Sequence, residues 1–383
     1  MKAKVVSSCS QKAWVVGNDK VEMTVTMLGA HMAPVVFDRK SKFPIQPYYI
    51  SPWQGEGLKM PVQLLAPLRG DFFCMPFGGN ATPYKGEKHP PHGEVAGTDW
   101  KLADCTKKGA VTTLSITCPT KVRRGKVTNE MSLIDGQNVV YSNTRIEGFV
   151  GKTSMGHHAI LAMPKKERAV LVSMSPFKLG VTCPHPFSRP ENGEYQSLAL
   201  GAEFKSLSRV PTIFRNPSVT DCSSYPARFG YADLIGLFER PAEGISWTAV
   251  VNTEENWLWF ALKNPKQMPA RLIWLENHGR HGNPWNGRNL CMAMEDGCLY
   301  FDAGVAESAN QNIISKRGIP TCHDLKAKSP LSIRYIQGAV RVPSGFGKVV
   351  DVRFGSDTVT FVSATGKKVA APVCHSFLKS GRL

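Results

Sequence analysis

Apolar and polar residues alternate with a period of two along much of the chain. Val21, Met23, Val25 and Met27 interleave with Glu22, Thr24 and Thr26, the repeat of a strand with one buried face. Residues 111–118 repeat it, with Leu114 and Ile116 on one side. In MSLIDGQNVVYSNTRIE two such runs flank Asp135-Gly136, a pair of residues that favours a tight hairpin turn. LSIRYIQGAVRV and VVDVRFGSDTVTFVS each read as a strand pair. No amphipathic segment longer than about 12 residues meets the i, i+3, i+4 pattern of a helix, and no repeat of fixed period appears. The expected fold class is all-β, mainly antiparallel.

Four long irregular stretches interrupt the strands, at 38–62, 76–100, 181–196 and 276–290, with clustered Pro, Gly, His, Asn and Trp. Loops of this length in a compact chain tend to carry function. No linker composition divides the sequence, so residues 1–383 are expected to form a single domain.

Composition narrows the classes further. The chain is 42% hydrophobic and 20% charged, enough apolar material for a large core and too little charge for disorder. The formal net charge of +17 favours anionic partners in general. The densest clusters, Lys121, Arg123, Arg124 and Lys126, then Lys165, Lys166 and Arg168, are short. No zinc-finger or RNA-binding signature accompanies them, so a solvated basic surface is expected and no nucleic-acid partner.

None of the ten cysteines forms a C-x-x-C pair, which argues against a structural zinc site. Several lie in apolar segments, as reduced buried thiols do. The start MKAKVVSSCSQKAW lacks the apolar core of a signal peptide, and no run reaches the roughly 18 apolar residues of a membrane span. A cytoplasmic protein without a membrane partner is the expectation. No Walker loop, dinucleotide fingerprint or nucleophile elbow is present, so no cofactor is expected.

Four segments could carry chemistry. LRGDFFCMPFGGN, residues 68–80, holds Arg69, whose planar fork suits a hydroxyl or carboxylate, and ends at Asn80. HPPHGEVAGTDW, residues 89–100, offers two histidines. One reading is a metal site of His89, His92 and one of His157, His278 or His281. The other is a rigid loop presenting His92 as a hydrogen-bond donor. SMGHHAILAMP, residues 154–164, places His157 and His158 on opposite faces of a strand. In RLIWLENHGRHGNPWNGRNLCMAMEDGCLYF, residues 271–301, two apolar runs bracket a Gly/Asn/His/Trp loop. Glu295 follows Met292-Ala293-Met294, where partial desolvation raises a carboxyl toward a useful general base. Alternatively it opens a turn with Asp296-Gly297. Trp274 and Trp285 suit either a sugar face or the core.

Taken in order, these pieces resemble the galactose mutarotase (aldose 1-epimerase) superfamily, closest to its divergent branches, the hexose-6-phosphate epimerase-like proteins among them. Gly29-Ala30-His31-Met32-Ala33-Pro34-Val35 looks like the family's early strand. RGDFFCMPFG at 69–78 is similar to its segment from a substrate-binding arginine to a Pro-x-Gly turn. His92-Gly93 looks like its His-Gly loop, and His158 with the aliphatics Ala159-Ile160-Leu161 fits its His-x-aromatic-aromatic strand. LCMAMED at 290–296 resembles the segment with the catalytic glutamate.

The likeness runs from about residue 20 to about 305. It departs at the aliphatics after His158, and at Asp71, where a glycine is more usual.

The resemblance implies a large antiparallel β-sandwich, a supersandwich, acting on a monosaccharide or sugar phosphate. Glu295 as base and His158 as acid would interconvert α and β anomers by opening and closing the ring. That assignment requires both groups to stay near their ordinary pKa values. Arg69, His92, Asn80, Asp233 and Trp285 would bind the sugar. The alternative is a non-catalytic carbohydrate-binding module on the same fold.

Overall fold

A computed structural model describes residues 3–383. Strands take 46% of the chain and helices 6%, so the architecture is decided by how sheets pack. A seven-stranded antiparallel sheet has the order 203–204, 179–182, 231–238, 270–277, 290–298, 155–162, 73–74. A nine-stranded antiparallel sheet has the order 224–225, 170–174, 246–252, 257–263, 331–341, 139–147, 125–134, 111–120, 101–108. A four-stranded meander at 4–36, a three-stranded one at 349–372 and two short strand pairs, 151–153 with 323–325 and 210–211 with 219–220, are added to these.

The predicted alternation places the core. Val127, Met131, Val140, Ala159, Leu161, Ile235, Ile273, Met292 and Met294 meet between the two large sheets. The other face of the seven-stranded sheet carries a second cluster, with Trp53, Phe72, Phe77, Leu272, Trp274 and Ala293. Long loops cover it. The other face of the nine-stranded sheet packs Val139, Tyr141, Leu258 and Phe260 against Phe361 and Phe377 of the C-terminal region. Two apolar faces per sheet explain why the central strands read as nearly unbroken hydrophobic runs.

The Asp135-Gly136 hairpin forms between Gly125–Ile134 and Val139–Glu147. LSIRYIQGAVRV behaves differently from its expected pair of strands: Leu331–Arg341 is one continuous strand. Its Gly338 makes no turn. A Cβ there would lie 2.5 Å from the Phe260 ring, so the glycine makes room for an aromatic neighbour. Seven cysteines are buried and all ten are free thiols, as their apolar surroundings suggested. Among the described residues, no helix is long and apolar enough to cross a membrane.

Candidate active site

His158 and Glu295 face each other on adjacent antiparallel strands, Met155–Ala162 and Leu290–Cys298. Their side chains point to the loop-covered face, with Ile160 and Ala293. His158 Nε2 lies 3.2 Å from Glu295 Oε1. The strand runs on to Cys298, so Glu295 sits mid-strand and opens no turn. Side-chain exposure is only 7% for His158 and 4% for Glu295, so a ligand reaches the pair only if the loops above it give way.

Aromatic rings fix the imidazole. Phe72 stacks on it at 4.7 Å between ring centroids and 17° between planes. Phe77 lies 6.1 Å away, nearly parallel. His92 meets it edge-on at 5.2 Å, and Trp274 edge-on at 6.2 Å. On the far side of Phe72, His31 stacks at 4.0 Å. Rings of this kind gain from stacked and edge-to-face arrangements and leave little rotational freedom.

Burial also sets the charge. It pushes the Glu295 carboxyl well above its ordinary range, helped by nearby Asp302. Burial pushes His158 well below its ordinary value, with His92 and His31 adding to the effect. His92 falls to about 4 and His31 to about 3, both through burial. Burial therefore favours the uncharged form of each group, a carboxylic acid against a neutral imidazole. The expected pairing of a glutamate base with an imidazolium acid rested on small shifts; burial displaces both groups in the opposite sense.

Behind the pair, on the inner face, His157 and Asp296 are the next cross-strand partners. Asp296 Oδ1 is 2.8 Å from Lys263 Nζ and 3.0 Å from Arg271 Nε. Tyr335 donates its hydroxyl to Asp296 at 2.8 Å. Asp71, the residue at a glycine position, joins this interior network. Its Oδ2 bonds the His157 ring at 2.8 Å and accepts from Gln337 Nε2 at 2.8 Å. Its Oδ1 accepts from the backbone N–H of His158 at 3.1 Å. Asp71 thus holds both histidines of the strand in register.

The other expected ligands separate. His92 is at the site; its backbone N–H donates to Gly78 and its carbonyl accepts from Met75. Gly93 beside it must be glycine, since a Cβ would fall 1.8 Å from the Met75 carbonyl oxygen. Trp285 lies at the rim, edge-on to Trp53 at 4.9 Å and to Trp274 at 5.6 Å.

Arg69 is fully buried. Its guanidinium donates to the carbonyls of Pro67, Ser8 and Cys9 and to Gln54 Oε1, so no fork is left for a sugar. Asn80 staples loops, donating to Pro76, Gly78 and Pro90 and accepting from Val305. Asp233 is held inside by Ser197 and Leu198. His89 is spent on Glu87 at 2.9 Å, and the two-histidine metal reading loses its geometry.

Four residues at the site carried no role in the sequence reading. Phe72 and Phe77 frame the imidazole from within the Arg69 segment. Arg280 lies over Phe187 at 4.5 Å, Trp285 at 5.5 Å and Trp274 at 5.9 Å, a cationic lid on an aromatic wall. Glu276, beneath it, accepts from the backbone N–H groups of Gly279 and Arg280. Burial pushes its carboxyl up to about 7, against the pull of Arg280 and those amides.

No model of a known protein family matches the chain, and no curated protein matches its sequence significantly. Solved structures do match, and they define the fold as galactose mutarotase-like. A galactose mutarotase-like protein from Clostridium acetobutylicum covers 89% of this chain and 99% of its own, with a TM-score of 0.59 and 12% identity. A galactose mutarotase related enzyme from Lactobacillus acidophilus covers 86% and 98%, with a TM-score of 0.54 and 11% identity. A candidate aldose 1-epimerase from Escherichia coli K12 covers 86% and 99%, with a TM-score of 0.55 and 10% identity.

Proposed function

We propose that the protein is an aldose 1-epimerase that interconverts the anomers of a hexose or hexose phosphate, with His158 and Glu295 as its acid–base pair. The observation that carries this reading is their 3.2 Å contact, mid-strand and buried; with both groups pushed toward their uncharged forms, the pair holds one proton. Ring opening needs a proton removed from the anomeric hydroxyl and one delivered to the ring oxygen. Two side chains holding one proton between them supply an acceptor and a donor without solvent. Neutral His158 accepts the hydroxyl proton as the Glu295 acid donates to the ring oxygen. Rotation about C1–C2 and closure in the opposite sense return each proton to the pair.

His92, with no partner for its buried Nδ1, would hold a sugar hydroxyl. The Arg280 and Trp285 rim would face the exocyclic end of the ring, where a cation suits a phosphate. Of the aliphatic residues after His158, Ala159 and Leu161 point into the core between the sheets, and Ile160 shares the face of the pair.

The test is anomer exchange followed by NMR on glucose and on glucose 6-phosphate. Catalysed exchange of either supports the reading, and preference between them decides the Arg280 assignment. Saturable sugar binding without faster exchange would replace it with the carbohydrate-binding module.

A further inference from the structure

On the same loop-covered side of the sheet, Cys183, His185 and Asp302 converge. Cys183 follows the strand Leu179–Thr182 and is buried. His185 and Asp302 are partly exposed, and His185 Nε2 lies 2.7 Å from Asp302 Oδ1. One ligand atom from each residue lies within 4.8 Å of the other two.

We propose that these three side chains form a transition-metal site suited to Zn2+, with the remaining coordination position open to water or an oxygen ligand. Thiolate, imidazole and carboxylate are the donor types that select zinc and its first-row neighbours over magnesium or calcium. Tetrahedral zinc at about 2.0–2.3 Å from each donor sets ligands roughly 3.3–3.6 Å apart. The His185–Asp302 contact needs to widen by less than about 1 Å, which two partly exposed side chains can do.

A further observation points to a prepared site: the backbone of Asp302 is fixed in advance. Its carbonyl accepts from Gly79 at 2.6 Å, and at Gly78 a Cβ would meet that carbonyl oxygen at 2.6 Å. The Gly-Gly turn therefore seats Asp302 before any ion arrives. Binding displaces the Cys183 thiol proton to solvent, and a second proton where His185 is charged.

Cobalt titration of the chelator-treated full chain tests this. Wild type is expected to bind one Co2+ with a thiolate charge-transfer band and the intense visible bands of a tetrahedral site, both bleached by equimolar Zn2+. Cys183→Ser is expected to lose the charge-transfer band, and His185→Asn, at a partly exposed position, to weaken binding at least tenfold. Cys374→Ser is expected to leave the spectrum as it is. A spectrum without the thiolate band, or a band that survives both Cys183→Ser and His185→Asn, overturns the site. Because the readout involves no sugar, neither result bears on anomer exchange.

Discussion

Glu295 and Asp296 are neighbours in sequence and face opposite sides of one strand, and their carboxyls are driven in opposite directions. Burial raises Glu295, which has Asp302 nearby and no cation against it. Burial acts on Asp296 too, but Arg271, Lys263 and Tyr335 outweigh it and hold its carboxyl below the usual range. One peptide bond separates a carboxyl pushed toward its neutral form from one held toward its anion, and the strand's two-residue period is the cause.

Glu295→Gln and His158→Asn each remove one half of the proposed proton relay. Each is expected to lower catalysed anomer exchange by about 10²–10⁴-fold while the far-ultraviolet circular dichroism stays native. Exchange at wild-type rate in a folded Glu295→Gln protein removes that residue from the mechanism.

The rate should be level between the two displaced pKa values, where the pair keeps its single proton. An acid limb is expected well below pH 6.5, where His158 gains a second proton, and an alkaline limb well above 4.5, where Glu295 loses the last one. Stability carries the same signature. A carboxyl raised in the fold is favoured protonated, so its ionisation costs stability as pH rises past the unfolded value of about 4.5. Glu295→Gln should therefore raise Tm, and by more at pH 8 than at pH 5. A Tm gain independent of pH would contradict the raised carboxyl.

Asp71→Asn keeps the shape but offers Oδ2's two donors an amide in place of a carboxylate. Loss of charge-assisted bonds to His157 and Gln337 is expected to cost about 1–3 kcal/mol of stability. Because Asp71 also anchors the His158 amide, kcat should fall with KM little changed. A lower Tm with unaltered kcat would confine Asp71 to a purely structural part.

Lys263 has zero side-chain exposure, between Asp296 and Glu239. Lys263→Met takes one of two cations from a pair of buried carboxylates, Arg271 remaining, and is expected to cost about 3–5 kcal/mol, read as a drop in urea midpoint. We propose that the chain melts as one unit, since the three apolar clusters share the two large sheets. Coincident fluorescence and circular dichroism transitions are the expected outcome, and separated ones would point to two domains.

The strands were legible where burial is one-sided, as in Val111–Thr120. Glu295 was legible because an acid after Met-Ala-Met must share their strand and burial. Gly338 misled because a glycine that accommodates Phe260 looks like one that turns. Arg69 misled for a different reason: its partners, Ser8, Cys9 and Gln54, are 15 to 61 residues away in sequence. Nothing local signals that a guanidinium is closing carbonyls rather than waiting for a ligand. Asp71 gave the opposite case, an apparent departure that the histidine strand uses as its brace.

The C-terminal meander works as a cover. Without residues 343–383, Tyr141, Leu258, Phe260 and Ile336 would form an open apolar sheet face, the kind of surface that drives self-association. Truncation from that end should give insoluble protein even though the acid–base pair lies on the other sheet.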